Sequence, residues 1–159
     1  MDKAALFVDV QNIYYTCRDA LGGSFDYRNL WTRLSNDNDI VIANAYAIER
    51  DHAGQKKFQH ALSELGFEVK LKPFIQRADG SAKGDWDVGI TIDVLEAAHS
   101  VDHIILLSGD GDFDLLLEKI SATTSASTTV FGVPDLTAAS LIDAATHFIP
   151  IDESMLIKR

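Results

Sequence analysis

The run AALFVD, residues 4–9, is apolar at every position except the last, where it ends in an acid. A second run of the same kind, DHIILLS, spans residues 102–108. Strands that are apolar at nearly every position are typical of parallel strands covered by helices on both faces. The two runs therefore predict the centre of a mainly parallel sheet in a three-layer α/β/α sandwich.

Further strand-like runs lie on either side of these two, at 40–48, 67–73 and 128–133. Between the strands, apolar residues recur at three- and four-residue spacing, which predicts helices. The predicted helices span about 11–21, 27–35, 53–65, 85–99, 112–122 and 136–146. The alternation of strands and helices predicts right-handed βαβ units and a five-stranded sheet. The segment 74–85 lacks periodicity and contains three breaker residues, so a surface loop is expected there.

The chain has 159 residues, which is the size of one domain, and we expect a single domain over residues 1–159. It has neither a signal-peptide pattern nor an apolar run long enough to span a membrane, so a cytoplasmic protein without membrane contact is expected. The lone cysteine, Cys17, is expected to be a buried apolar residue. The last residues, HFIPIDESMLIKR, contain an apolar segment that we interpret as a docked tail or a dimer contact.

The net charge of −10 argues against a general surface for polyanions. The charge is nevertheless uneven, because the segment 50–83 carries seven basic and four acidic residues, giving +3, and the remainder carries −13. This basic segment could meet an anionic ligand locally, although a solvated lysine face explains it equally well.

Acidic side chains follow the two central strands. Asp9 ends the first, and Asp110 and Asp112 follow the fourth in SGDGDF. In open parallel sheets ligands bind beyond the carboxyl ends of the strands, where the strand order reverses. If the order is 3-2-1-4-5, these carboxylates converge with Asp87, which lies near the start of the helix preceding strand four. Hard divalent cations, Mg²⁺ or Mn²⁺, are the common reason for such a cluster.

Each acid also has a structural explanation. Asp9 could cap the next helix, and the SGDGDF turn could serve as a helix cap. Capping explains one of the pair Asp85 and Asp87, and Asp114 is expected to be only a first-turn helix acid. Asp93 is six residues from Asp87 on the same helix and is turned well away, so it is a weaker ligand candidate.

The segments FVDVQNIY, KGDWDVGITIDVLEAA and LLSGDGDFDLLL resemble, in order and spacing, the NYN domains of the LabA/DUF88 group, which are relatives of PIN-domain nucleases. The resemblance extends to residues 131–152, similar to that group's closing strand, Ser-x-x-Leu helix and apolar segment. It implies a PIN-like sheet of order 3-2-1-4-5, with a short extra strand allowed at the C-terminal end. It also implies a metal-dependent endoribonuclease that uses Mg²⁺ or Mn²⁺ on RNA, with single-stranded RNA as the expected partner.

The resemblance assigns roles by position. Asp9, Asp87, Asp110 and Asp112 match the acids expected to hold the metal, and Asn12 matches the asparagine that follows the first acid. Ser108 and Lys83 match residues expected to contact the substrate phosphate. Bases that could steer the RNA backbone are Lys56, Lys57 and Arg77.

Other functions compete with this interpretation. A non-catalytic regulatory module of the same fold, acting through a protein or nucleic-acid partner, would fit the net charge and the apolar tail, which also motivates a homodimer. A phosphatase or nucleotide hydrolase of another α/β fold, with Asp9 as the nucleophile, is a third class, because FVDVQN places an Asp at a strand end.

Overall fold

The computed structural model describes residues 1–49, 53–73, 75–76, 82–83 and 85–158. Strand β1, Asp2–Asp9, lies in the middle of the main sheet. Residues 4–8 are completely buried, and they alternate between two hydrophobic cores. Ala4, Leu6 and Val8 contribute to one core, whereas Ala5 and Phe7 contribute to the other. Burial on both faces explains why this strand is apolar at successive positions.

The remaining strands follow in chain order. They are β2 Asn38–Glu49, β3 Glu68–Pro73, β4 Ile75–Gln76, β5 Ala82–Lys83, β6 His103–Leu107, β7 Ser127–Gly132 and β8 His147–Pro150. The main sheet has the order β3-β2-β1-β6-β7-β8, and its neighbouring strands are parallel throughout. The predicted order 3-2-1-4-5 is therefore confirmed, and the extra C-terminal strand is present as β8.

Helices cover both faces of this sheet. They are α1 Val10–Leu21, α2 Tyr27–Asp37, α3 Ala53–Leu65, α4 Asp87–Ala97, α5 Asp114–Thr123 and α6 Ala139–Ala144. The first core contains residues of α1, α2 and α3, whereas the second contains residues of α4, α5 and α6. The predicted three-layer arrangement is thus confirmed. Cys17 of α1 is completely buried in the first core, as expected.

The helices in the described part of the chain are too short or too polar to cross a membrane.

Two segments differ from their predicted structure. The segment 74–85 was expected to be a loop, but Ile75–Gln76 and Ala82–Lys83 pair as a short antiparallel ribbon. Two-residue strands are too short for a period-2 pattern to be recognised in the sequence. The helix expected at 136–146 is shorter, because a 3-10 helix at Pro134–Leu136 precedes α6.

The C-terminal residues pack against the body of the protein. A 3-10 helix spans Glu153–Met155, and Leu156 forms an isolated antiparallel bridge with Phe25. The Asp26 N–H donates to the Met155 carbonyl at 2.9 Å, and Met155 and Leu156 are both buried. Of the two interpretations of this segment, the structure therefore shows the docked tail.

Candidate metal centre

The carboxyl edge of the two central strands brings separate segments together. Asp9 is the last residue of β1, and its neighbour Val8 is in register with Leu107, the last residue of β6. The loop that follows Leu107 therefore begins beside Asp9. Asp87 reaches the same edge as the first residue of α4.

Three carboxylates meet at this edge. Asp9, Asp87 and Asp110 each offer a carboxylate oxygen, and these oxygens all lie within 4.8 Å of one another. All three side chains are partly buried. The structure thus brings together three of the four predicted metal ligands. Asp112 is exposed and lies outside this cluster, and its backbone N–H donates to Asp110 Oδ1 at 2.9 Å.

Asp9 occupies the N-cap position of α1, but its side chain makes no capping hydrogen bond. Its Oδ2 instead accepts a hydrogen bond of 3.0 Å from Ser108 Oγ. The Asn12 backbone N–H also lowers the pKa of this carboxyl, but its contribution is smaller than that of the Ser108 hydrogen bond. Asp110, in contrast, does cap the 3-10 helix Gly111–Phe113 through the Asp112 N–H. The Asp110 side chain therefore both caps this helix and belongs to the carboxylate cluster.

Two neutral side chains hold the edge together. Ser108 is completely buried, and besides donating to Asp9 its Oγ accepts a 3.1 Å hydrogen bond from the Asp110 N–H. Asn12, in the first turn of α1, accepts a 2.9 Å hydrogen bond from the Gly109 N–H through its Oδ1. Both residues were predicted to belong to the site. In the structure they link the start of α1 to the loop that carries Asp110.

Burial, assisted by neighbouring negative charge, raises the pKa of two acids of the cluster, Asp9 and Asp87. Burial is the main reason that the pKa of Asp9 rises from 3.8 to about 6, with a further contribution from Asp110 and an opposing one from the Ser108 hydrogen bond. Burial also raises the pKa of Asp87 to about 7, assisted by the charges of Asp110, Asp85 and Asp9. Gathering negative charge here is unfavourable for the protein alone. A bound divalent cation would remove that penalty.

The other acids near the site have structural roles. Asp85 Oδ1 accepts a 3.3 Å hydrogen bond from the Asp87 N–H, and Asp114 accepts one of 2.6 Å from the Leu115 N–H. Asp93 accepts hydrogen bonds from Lys70 Nζ at 2.9 Å and Tyr46 Oη at 2.7 Å. Burial would raise the pKa of Asp93, but these two bonds outweigh it and lower the pKa. Asp93 is therefore engaged away from the cluster, as its helical position predicted.

The predicted substrate-binding cations are only partly described. Lys83 lies in β5, but its side chain is outside the described part of the structure, as is Arg77. Lys56 and Lys57 are exposed on α3.

Lys72 was not proposed for the site, yet it lies close to it. Its Nζ lies 4.5 Å from the centroid of the Trp86 ring and donates to the Asp85 carbonyl at 3.2 Å. Lys70 and Lys72 are two residues apart on β3, so both side chains lie on the same face of the strand. That spacing could have indicated that Lys72 lies near the site.

Comparison with known proteins identifies the family of this chain. A family model described as the NYN domain matches residues 3–152. The low amplitude and bright protein LabA of Synechococcus elongatus is 30% identical, and the match covers 95% of this chain and 84% of that protein. A crystal structure of a Vibrio parahaemolyticus protein of unknown function superposes with a TM-score of 0.93 at 52% identity, covering 98% of this chain and 96% of that chain. The chain therefore belongs to the NYN domain family, in the group that includes LabA.

Proposed function

We propose that this protein is a metal-dependent endoribonuclease that hydrolyses phosphodiester bonds of single-stranded RNA at the cluster of Asp9, Asp87 and Asp110. The observation that carries the proposal is the convergence of these carboxylates from three separate segments to within 4.8 Å. Membership of the NYN domain family, which is PIN-like, supports a nuclease-type function.

The donor set fits Mg²⁺ or Mn²⁺. Carboxylate oxygens are the ligands that these hard cations prefer, and the described residues place neither a histidine nor a cysteine in the cluster. Asp9, Asp87 and Asp110 would hold the ion. Asp112, which is exposed beside them, would act through water. A bound cation would stabilise the negative charge that develops as the phosphodiester is hydrolysed.

The neighbouring residues would position the site and the substrate. Ser108 fixes the orientation of Asp9 through its hydrogen bond, and Asn12 fixes the loop that carries Asp110. The resemblance predicted that Ser108 contacts the scissile phosphate, but the residue is completely buried and its hydroxyl donates to Asp9, so it would act through that acid. Lys83 would contact the same phosphate, and the RNA backbone would be steered by Lys56, Lys57 and Arg77. These bases belong to the positive segment of an otherwise acidic chain, so binding should weaken as salt rises.

The substitution Asp110→Asn tests the proposal. It removes one ligand charge but retains an oxygen that can cap the Asp112 N–H, so the fold should persist. Cleavage of a single-stranded RNA in Mn²⁺ should fall by about 100-fold or more, which is the scale expected when transition-state charge loses its stabilisation. Circular dichroism should be unchanged.

Asp114→Asn is the matched control, because it removes the same charge four residues away without touching the cluster. Its cleavage rate should equal that of the unmodified protein. Equal rates for Asp110→Asn and Asp114→Asn would contradict the proposal.

The second candidate is a non-catalytic regulatory module that retains the metal site. The net charge of −10 favours it, because an acidic protein attracts RNA poorly. In that case a broad panel of RNAs in Mn²⁺ would show no turnover above that of Asp110→Asn. Reproducible cleavage that depends on Asp110 would exclude this alternative.

A further inference from the structure

A pocket with a cavity of about 650 Å³ lies on the face of the sheet that packs the first core. Val10 and Gln11, which directly follow Asp9 in the chain, form part of its wall. Ala47 and Ile48 form another part, and they follow Tyr46, the residue in register with Asp9 on the neighbouring strand. The wall of the pocket therefore reaches the same carboxyl edge as the candidate metal centre.

Aromatic side chains dominate this pocket. Tyr14 and Tyr15 of α1 meet edge to face at 5.2 Å between ring centroids, and Tyr27 and Phe58 lie 5.8 Å apart. The guanidinium of Arg18 lies 5.4 Å from the Tyr14 ring centroid and 4.8 Å from that of Tyr15. Planar aromatic faces beside a guanidinium are the side chains on which unpaired nucleobases stack.

Tyr27 supplies a polar group inside this apolar pocket. The residue is only 8% exposed, and its hydroxyl has no hydrogen-bond partner among the residues that the structure describes. Burial raises the pKa of this hydroxyl, with smaller contributions from Cys17 and Asp9. Among the described residues no unpaired polar side-chain atom is fully buried, so the hydroxyl oxygen keeps contact with solvent and can bond a polar ligand that enters the pocket.

We propose that this pocket receives one nucleobase of the single-stranded nucleic acid whose backbone lies at the carboxylates. The base would stack on the exposed ring of Tyr14 beside Arg18, and its edge would bond the Tyr27 hydroxyl. This assignment rests on the proposed function for the position of the backbone. It explains how an acidic protein can hold a polyanion, because stacking on a base does not depend on net positive charge.

Binding is measured in the Asp110→Asn protein with Mg²⁺ present, so that the RNA stays intact. The probes are fluorescein-labelled RNA octamers of each single base, followed by anisotropy. Tyr14→Ala, at a side chain that is 51% exposed, should weaken the tightest octamer about tenfold, within the range of one base–aromatic stack. Tyr27→Phe keeps the packing, and should weaken it by about threefold or more through the lost hydroxyl. Arg18→Ala removes the guanidinium beside the Tyr14 ring and should also weaken binding. Arg33→Ala removes an exposed cation of α2 outside the pocket; it is the charge-matched control and should bind normally.

Abasic substitutions identify the base itself. Removing the base at one position of the octamer should reproduce the loss seen with Tyr14→Ala, and combining the two changes should add little further loss. Unchanged affinity for both Tyr14→Ala and Tyr27→Phe would overturn the proposal. So would the absence of any base-dependent position, or failure of all four octamers to bind. A nucleoside monophosphate that competes as well as the octamer would also overturn it, because the ligand would then be a free nucleotide.

Cleavage by the unmodified protein is assayed separately, so the two proposals fail independently. Base-dependent binding without cleavage would contradict only the nuclease proposal. Cleavage with binding unaffected by the pocket variants would contradict only the base pocket.

Discussion

The side chain of Ser108 shows how individual residues make this site. Its buried hydroxyl donates to Asp9 and accepts from the Asp110 N–H, so one small group orients an acid from β1 and the turn that carries the next acid. A larger side chain would not fit at a position with no exposed surface. Asn12 makes the corresponding link from α1 to Gly109. The carboxylates are therefore held in place by the protein itself.

The raised pKa of Asp87 predicts a pH-dependent stability. The folded protein holds a proton on Asp87 up to about pH 7, whereas the unfolded chain loses it near the ordinary value of 3.8. The folded state therefore binds more protons between these values, and its stability falls as the pH rises from about 4 to 7. Asp87→Asn removes this penalty. After allowance for solvent screening, the variant should gain about 1 kcal/mol in free energy of unfolding at pH 8. In EDTA at that pH its melting temperature should therefore be roughly 2–4 °C higher.

The same variant should show a much smaller difference in melting temperature at pH 4, close to the ordinary pKa of 3.8, because the carboxyl is then protonated in the folded state and only partly ionised in the unfolded chain. Asp143→Asn, at an exposed aspartate of α6, controls for the general loss of negative charge. Equal melting temperatures for Asp87→Asn and Asp143→Asn at pH 8 would contradict the unfavourable charge at the cluster.

At the scale of elements, the turn after β6 depends on close backbone approach. A Cβ at Gly109 would lie 2.5 Å from the Leu136 carbonyl oxygen, which belongs to the 3-10 helix before α6. Gly109→Ala must therefore displace backbone, and overpacking of this kind costs about 1–3 kcal/mol. We expect a lower melting temperature and weaker Mn²⁺ binding, because the displaced turn carries Asp110.

Gly111 offers the matched control. A Cβ there would meet the Ala138 Cβ at 2.8 Å, and Ala138→Gly removes that atom. Gly111→Ala alone should lower stability, and the double variant Gly111→Ala with Ala138→Gly should regain it. Ala138→Gly should not restore the stability of Gly109→Ala. A Gly109→Ala protein as stable as the unmodified one would show that the turn tolerates movement.

The elements also show how far sequence patterns reach. The apolar runs at 4–9 and 102–108 predicted β1 and β6 because burial on both faces leaves a strong signal. The pairing of β4 with β5 leaves no signal in the sequence, because two-residue strands are too short to show a hydrophobic period. The start of α6 was also missed, because the 3-10 geometry that precedes it depends on local hydrogen bonds such as Thr137 Oγ1 to the Val133 carbonyl at 2.7 Å.

At the scale of the whole molecule, the fold converts distant acids into a site. The sequence supported Asp9, Asp87 and Asp110 as neighbours because the strand order places their segments at one edge. It did not separate Asp112 from them, because two acids one residue apart look equivalent until the Asx turn at Asp110 directs their side chains differently. The aromatic pocket was missed because its walls come from four successive elements, α1, α2, β2 and α3, and hydrophobic periodicity does not show which of their side chains face one another.

The docked tail predicts a stability effect at this scale. Leu156 is 9% exposed and packs in the first core, so Leu156→Ala should cost about 2–3 kcal/mol in free energy of unfolding. Ile157→Ala is the control, because that side chain is 56% exposed and should change stability by less than about 0.5 kcal/mol. Urea denaturation measures both. A Leu156→Ala protein of unchanged stability but altered mass in solution would indicate a dimer contact instead.

The central claim is that Asp9, Asp87 and Asp110 form a site for a divalent cation. A crystal structure of the protein soaked in Mn²⁺, with anomalous data, tests it most directly. We predict an anomalous peak coordinated by oxygens of all three carboxylates, and its loss in Asp110→Asn crystals treated in the same way. A soaked crystal with no peak at these residues, or with Mn²⁺ bound only elsewhere, would contradict the claim.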